Sequence, residues 1–179
     1  MDPNELLPHI PGLRRYARAL TGDAWAADDL VQDTLERACA KRLLWRVGSD
    51  LRAWLFTLMH NLHVNQWQRR AGERAAGFPV DVDDVQAELV APQAPTDTAI
   101  DLQRCLMMLP EEQRVVLLLV SLEDLPYEAV ARITGVPVGT VMSRLSRARR
   151  RLQQLMDAAP ASVAVAPAAA EPTALRRLK

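Results

Sequence analysis

The stretch Tyr127–Leu152, YEAVARITGVPVGTVMSRLSRARRRL, leaves few folds open to the chain that carries it. It reads as a short helix, a glycine turn and a longer basic helix. Ala131 is small enough to let two helices approach, and Gly135 can take a positive φ between them. Val141 supplies a β-branched wedge where the helices cross. Two helices joined in this way form a helix-turn-helix, a unit whose second helix enters the DNA major groove.

Angular position on the second helix sharpens that reading. Val141, Leu145, Ala148, Leu152 and Leu155 fall on one narrow stripe, the face expected to be buried. Opposite lie Gly139, Met142, Ser143, Ser146, Arg147 and Arg150, with Thr140 and Arg151 to one side. Serine, threonine and arginine can donate to phosphates and base edges. A merely solvated face mixes charge signs, yet Glu128 is the only acid from Tyr127 to Met156.

The rest of the chain is not polycationic. Lys+Arg and Asp+Glu both number 22, and apolar residues make up 49% of the 179. Charge is segregated: arginines gather at 69–74 and 144–151, acids between Asp81 and Asp101. Such segregation suits a specific nucleic-acid contact with non-specific binding held down elsewhere. Cys39 and Cys105 sit in helical patterns without metal spacing, so both are expected to be buried thiols. The N-terminus lacks a signal-peptide pattern, and Val115–Val120, the longest apolar run, is too short to span a bilayer. A cytoplasmic protein is expected.

Helical periodicity with scarce glycine predicts an all-α fold of two small helical domains joined by a flexible acidic linker. Helices are expected from about Asn4 to Leu20, Ala24 to Arg42, and Leu51 onward, with Leu51, Leu55, Leu58 and Leu62 on one stripe. Thr21-Gly22-Asp23 is a stop followed by a cap. The first domain covers 1–74. Residues 75–95, with three prolines and no sustained period, have linker composition. A second helical unit, 96–157, starts near Thr96-Asp97. Pro110 and Pro126 each open a helix at its first position, with Glu111 and Glu112 at the positive end of theirs. The Ala/Pro-rich tail 158–179 is expected to be disordered.

Two constellations lie in the first domain. Asp29, Asp33 and Glu36 form an acidic stripe on successive turns, pointing outward in parallel rather than converging as catalytic carboxylates would. It is either a solvated face or a dock for a basic partner. On the Leu51 helix, the face opposite the leucines carries Phe56, His60, His63, Trp67 and Arg70. Rings and cations together suit single-stranded nucleic acid, although Phe56 reads better as packing and Trp67 as a DNA contact. His60 and His63 have no third ligand in view, so no metal site is expected. No P-loop, dinucleotide fingerprint or nucleophile elbow is present; neither cofactor nor catalysis is expected.

Four blocks, DLVQDTLERA (29–38), RAWLFTLMHNLHVNQWQRR (52–70), LPEEQRVVLLL (109–119) and the helix-turn-helix, resemble a bacterial RNA polymerase sigma factor. The group is the extracytoplasmic-function type, which keeps only regions two and four. The resemblance implies that Asp29, Asp33 and Glu36 dock on the clamp helices of core RNA polymerase. It implies that the loop Gly48, Ser49, Asp50, Leu51, Arg52 and Ala53 captures a base flipped from the minus-ten element, with Asn61 facing the pocket. Flipping costs a few kcal/mol, so melting should begin at an easily unstacked step. Arg69 and Arg70 would hold backbone phosphate, and Asn65 and Trp67 belong to the same surface. In region four, Thr140, Met142, Ser143, Ser146, Arg147 and Arg150 would face the minus-thirty-five element.

The chain departs from the family pattern twice. Asn65 stands where the family often has Asp, and Met142 where Lys or Arg is common after Gly-Thr-Val. Readout of the upstream element therefore leans on Ser143, Arg147 and apolar contact.

The resemblance implies core RNA polymerase and promoter DNA as partners, and an anti-sigma protein, often membrane-bound in this family, as an inhibitor. No small-molecule substrate is expected. The competing reading is a two-domain helix-turn-helix regulator that senses a ligand in its N-terminal domain; it would dimerise on a palindrome and need no polymerase.

Overall fold

The computed structural model describes residues 3–43, 45, 49–75 and 97–158. Among them, a 3-10 turn, Pro3–His9, leads into α1 (Ile10–Thr21), α2 (Ala24–Ala40) and α3 (Leu51–Ala75). The second half contains α4 (Asp97–Met107), α5 (Glu111–Ser121), α6 (Tyr127–Thr134) and α7 (Val138–Ala158). The fold is all-α, as the periodicity predicts. The linker, the tail beyond Ala158 and Gly48 lie outside the described residues.

Local chemistry places the helix ends. Gly22, at φ 75°, closes α1 by donating its N–H to Arg18 O at 3.0 Å. Asp23 then caps α2, its Oδ1 accepting from Ala26 N at 2.6 Å. Asp50 does the same for α3, accepting from Ala53 N at 3.0 Å. Pro110 and Pro126 stand one position earlier than expected, each just outside its helix with extended ψ, and α5 and α6 begin at Glu111 and Tyr127. Pro8 leaves the opening segment as a 3-10 turn rather than α-helix.

In the first half α2 packs between α1 and α3. Leu13, Tyr16, Ala17, Leu20, Leu30 and Leu55 are all fully buried there. Tyr16 and Phe56 meet edge to face, ring centroids 5.3 Å apart. In the second half α7 lies against α4, α5 and α6. Val141, Leu145 and Ala148 are buried, while Leu152 and Leu155 pack half-buried on the same stripe. Gly135 takes φ 68° between α6 and α7 and bonds back to Ala131 O.

The two halves do not stand apart. α1 packs on α4 and α5, and α3 packs on α6, so one continuous core runs through both. Two glycines admit this approach. A Cβ at Gly12 would lie 3.1 Å from Glu123 Oε2, and one at Gly22 would lie 2.9 Å from Met107 Sδ. Cys105 is buried as expected, but Cys39 is exposed: its position near the C-terminal end of α2 turns it away from the α1–α3 packing.

Backbone conformation makes opposite demands at two neighbouring glycines. Gly135 needs the left-handed region, so Gly135→Ala is expected to cost about 1–2 kcal/mol. Gly139 lies in the first turn of α7 with open space around it. Gly139→Ala should be neutral or stabilise by up to about 1 kcal/mol. Urea unfolding of the two variants beside the parent checks both signs.

Candidate nucleic-acid interface

The outward face of α7 is built by its inward one. Burial of Val141, Leu145 and Ala148 fixes the helix rotation, and Met142, Ser143, Ser146, Arg147 and Arg150 are exposed opposite, with Thr140 half-buried beside them. Met142 keeps 53% of its surface open. Arg147 Nε donates to Ser143 O at 3.2 Å, and Ser143 Oγ donates to Thr140 O at 3.0 Å, so the polar groups form a chain along one face. Arg144 is different: it pairs with Glu112 of α5 and braces the helix from the side.

The acidic stripe on α2 is accessible at Asp29 and Glu36, and half-buried at Asp33, which accepts from Gln66 Nε2 at 3.3 Å. Burial pushes the Asp33 carboxyl above its ordinary value, and the neighbouring Asp29 and Glu36 add to the effect. Asp33 and Glu36 border an open hollow of about 410 Å³ with Arg37, Ala40, Lys41 and Leu62.

Region two presents its expected DNA residues unevenly. Ser49, Asp50, Asn61, Asn65 and Arg69 are exposed, and Trp67 is 52% exposed. Leu51 is half-buried against the core. The Arg70 side chain lies outside the described residues. Arg52 points across to the second half: its Nη2 donates to Glu123 Oε2 at 2.9 Å and to Glu123 O at 2.6 Å. The aromatic-and-basic strip of α3 is likewise not an open one. Phe56 is buried, as its packing reading predicts, and His60 is half-buried. His63 bonds Glu111 of α5 through Nε2. Trp67, one turn further, is where the strip emerges.

Periodicity alone misses Glu123, Arg15, Glu111 and Arg114. Glu123 is buried with its side chain fully covered. Arg15 Nε donates to its Oε1 at 3.0 Å, and Arg52 holds Oε2. Nearby, Glu111 pairs with both His63 and Arg114. Burial would raise the Glu111 carboxyl, but the His63 hydrogen bond and the charges of Arg114, His63 and His60 together hold it below its ordinary value. Burial lowers His60 to about 4, and the charge of His63 works in the same direction against a smaller pull from Glu111. Burial drives the Tyr16 hydroxyl upward, so it stays protonated. The only sequence signal for Glu123 is an acid set between Leu122 and Leu125.

Set beside known proteins, the first half matches the family described as the Sigma2 domain of PhyR over residues 6–60. The second matches Sigma-70, region 4, over residues 99–152. The ECF RNA polymerase sigma factor EcfG of Rhodopseudomonas palustris is 39% identical over 157 residues, covering 86% of this chain and 83% of that protein. The chain belongs to the ECF RNA polymerase sigma factors. SigE of Mycolicibacterium smegmatis is 32% identical over 151 residues, which span 83% of this chain and 58% of that protein. A solved sigma factor, RpoE of Bartonella quintana in complex with the anti-sigma factor NepR, superposes with a TM-score of 0.75 at 38% identity. That match covers 87% of this chain and 96% of the solved one.

The sigma factor is thus an alternative specificity subunit that directs RNA polymerase to promoters, and a DNA-binding regulatory protein. Among the described residues no helix is long and apolar enough to cross a membrane.

The half-buried His60 sets an acid limit on the fold. Its ordinary value is 6.5 and its folded value about 4, so between these the unfolded chain binds a proton the folded one refuses. Its contribution is complete above about pH 6.5 and is lost as pH falls toward 4. Glu111, held low, acts in the same direction: its share is lost as pH falls through its lowered folded value. The melting temperature is therefore expected to drop across this window, and His60→Gln to flatten the drop. Calorimetry at stepped pH checks both.

Proposed function

We propose that the chain divides its work as two modules, 1–74 and 96–157, joined by the linker 75–95. The first docks on core polymerase through Asp29, Asp33 and Glu36. It then captures a flipped minus-ten base with residues 48–53 and Asn61, helped by Asn65, Trp67, Arg69 and Arg70. The second reads the minus-thirty-five element with Thr140, Met142, Ser143, Ser146, Arg147 and Arg150. The chain performs no chemistry of its own and works in the cytoplasm, where the template is. Its partners are core polymerase, promoter DNA and an inhibitor of the anti-sigma class, by analogy with the RpoE–NepR pair.

The observation that carries this reading is the outward face of α7. Ser143, Ser146, Arg147 and Arg150 stand exposed, with Thr140 half-buried beside them, because the opposite stripe is locked in the core. Exposure of Asp29 and Glu36 beside the hollow at Leu62 supports the docking role, since a basic helix with one apolar side chain fits such a surface. A ligand-sensing N-terminal domain is less well supported, because the α1–α3 core is filled by Leu13, Tyr16, Leu30 and Phe56.

The deciding experiment is transcription by purified core polymerase plus this chain from a promoter library, with start sites sequenced. Initiation at a shared two-element motif is expected; no initiation on any template contradicts the reading.

Two substitutions separate the modules. Arg147→Ala is expected to weaken binding to the cognate upstream element by about 1–3 kcal/mol, and by much less on random DNA, if Arg147 reads base edges. Equal losses in a fluorescence titration on both DNAs would assign it to phosphate. Asp29→Lys should weaken binding of core polymerase while leaving the full chain's affinity for the upstream element unchanged. Unaltered polymerase affinity counts against docking through α2.

A further inference from the structure

Glu123 is an unusual residue to find without solvent. Its carboxylate is fully covered, yet it sits in the short connection between α5 and α6, where acids normally point into water. The backbone aims it inward. Asp124 takes φ 54°, a left-handed position that Asp tolerates better than most residues, and Glu123 N donates to Leu118 O at 3.1 Å. The turn thus ends α5 and points the Glu123 side chain back across the molecule.

What receives it comes from the other half. Arg15 of α1 reaches Oε1 at 2.9–3.0 Å, and Arg52 of α3 reaches Oε2 at 2.9 Å. Arg15 also donates to Leu122 O at 3.4 Å, and Arg52 to Glu123 O at 2.6 Å. Gly12 leaves the room; an added Cβ there would press on Oε2 at 3.1 Å. Two cations, one anion and two main-chain carbonyls therefore close the seam at a single point. Arg52 additionally lies 5.7 Å from the centre of the Phe56 ring, which fixes its direction. The second contact across the seam is His63 Nε2 with Glu111, a carboxylate that Arg114 of the same helix α5 also pairs. Tyr16, buried beside both, has no hydrogen-bond partner for its hydroxyl among the described residues. A seam held by charge responds to charge: removing one member of a buried pair leaves the others uncompensated.

The closed arrangement has a consequence for the surface assigned to the minus-ten strand. Arg52 is occupied by Glu123, His63 by Glu111, and Phe56 is buried. We propose that Glu123 is an intramolecular clasp: it holds the two halves closed and withholds Arg52 and the adjoining face of α3 from single-stranded DNA until the halves part. The withholding rests on the reading of α3 as a DNA surface, whereas the clasp itself does not.

The test uses the full chain with Glu123→Gln and Arg15→Ala, and Glu128→Gln on the exposed side of α6 as control. Small-angle X-ray scattering through a salt series reads closure. Fluorescence anisotropy with a labelled thymidine-rich single strand reads access to α3. Glu123→Gln keeps the shape but removes the charge, so both clasp variants should expand at lower salt than the parent and the control. They should also bind the single strand roughly tenfold more tightly, because the competent open form is no longer a minority. Circular dichroism identifies loss of helix; should Glu123→Gln lose it, Arg15→Ala decides, since that side chain is 55% exposed and its helix does not need it. Unchanged dimensions in the folded variants overturn the clasp. Expansion without tighter strand binding overturns the withholding. Neither result depends on polymerase, so failure to direct initiation is distinguishable from failure here.

Discussion

The approach of α1 and α3 to the α5–α6 connection organises the molecule. Without it there would be two small helical units, each too short to bury much of its own surface. With it, one core runs from Leu13 and Tyr16 through Phe56 to Val116 and Val130. Apolar contact supplies most of the free energy, as in any interior. The ionic contacts at Glu123 and Glu111 supply direction, because a carboxylate held from two sides admits a narrow range of geometries. A seam of this composition can be stable in the free protein and still open when a partner binds the open form better.

That duality matters if the two halves engage two separated promoter elements, as proposed. In the closed form the face of α7 is exposed while part of α3 is covered, so the two surfaces are not equally available. On the proposed division of work, recognition upstream needs no rearrangement within the second half, whereas strand capture needs the first half freed. The free sigma factor is therefore expected to be a poor binder of duplex promoters on its own, with the machinery that holds the halves apart supplying the active geometry.

Much of this was legible in the sequence, for identifiable reasons. The period of Val141, Leu145 and Ala148 gave the buried stripe of α7, and hence its exposed opposite. Gly22-Asp23 and Gly135 marked helix ends through backbone conformations that few other residues adopt. The Asp29 stripe stood out because its spacing matches one helix face. The seam was not legible. Glu123 and its two arginines are separated by 71 and 108 positions; the arginines sit in locally ordinary helices and Glu123 in a short connection. Periodicity reports which face of a helix is buried, not which distant element covers it. For the same reason His60 and His63 read as part of an open strip, although Glu111 of the second half faces them. Cys39 shows the same limit: a helical pattern placed it on α2 without saying that its side faces solvent.

The central claim is that the halves are closed in the free chain and part on the polymerase. Electron–electron distance measurement between spin labels at the exposed Cys39 and at Ser146→Cys, in a Cys105→Ser background, tests it most directly. The free protein should give one short, narrow distribution, and addition of core polymerase should replace it with a longer one. A distribution that stays short and unchanged in the polymerase complex would contradict the account.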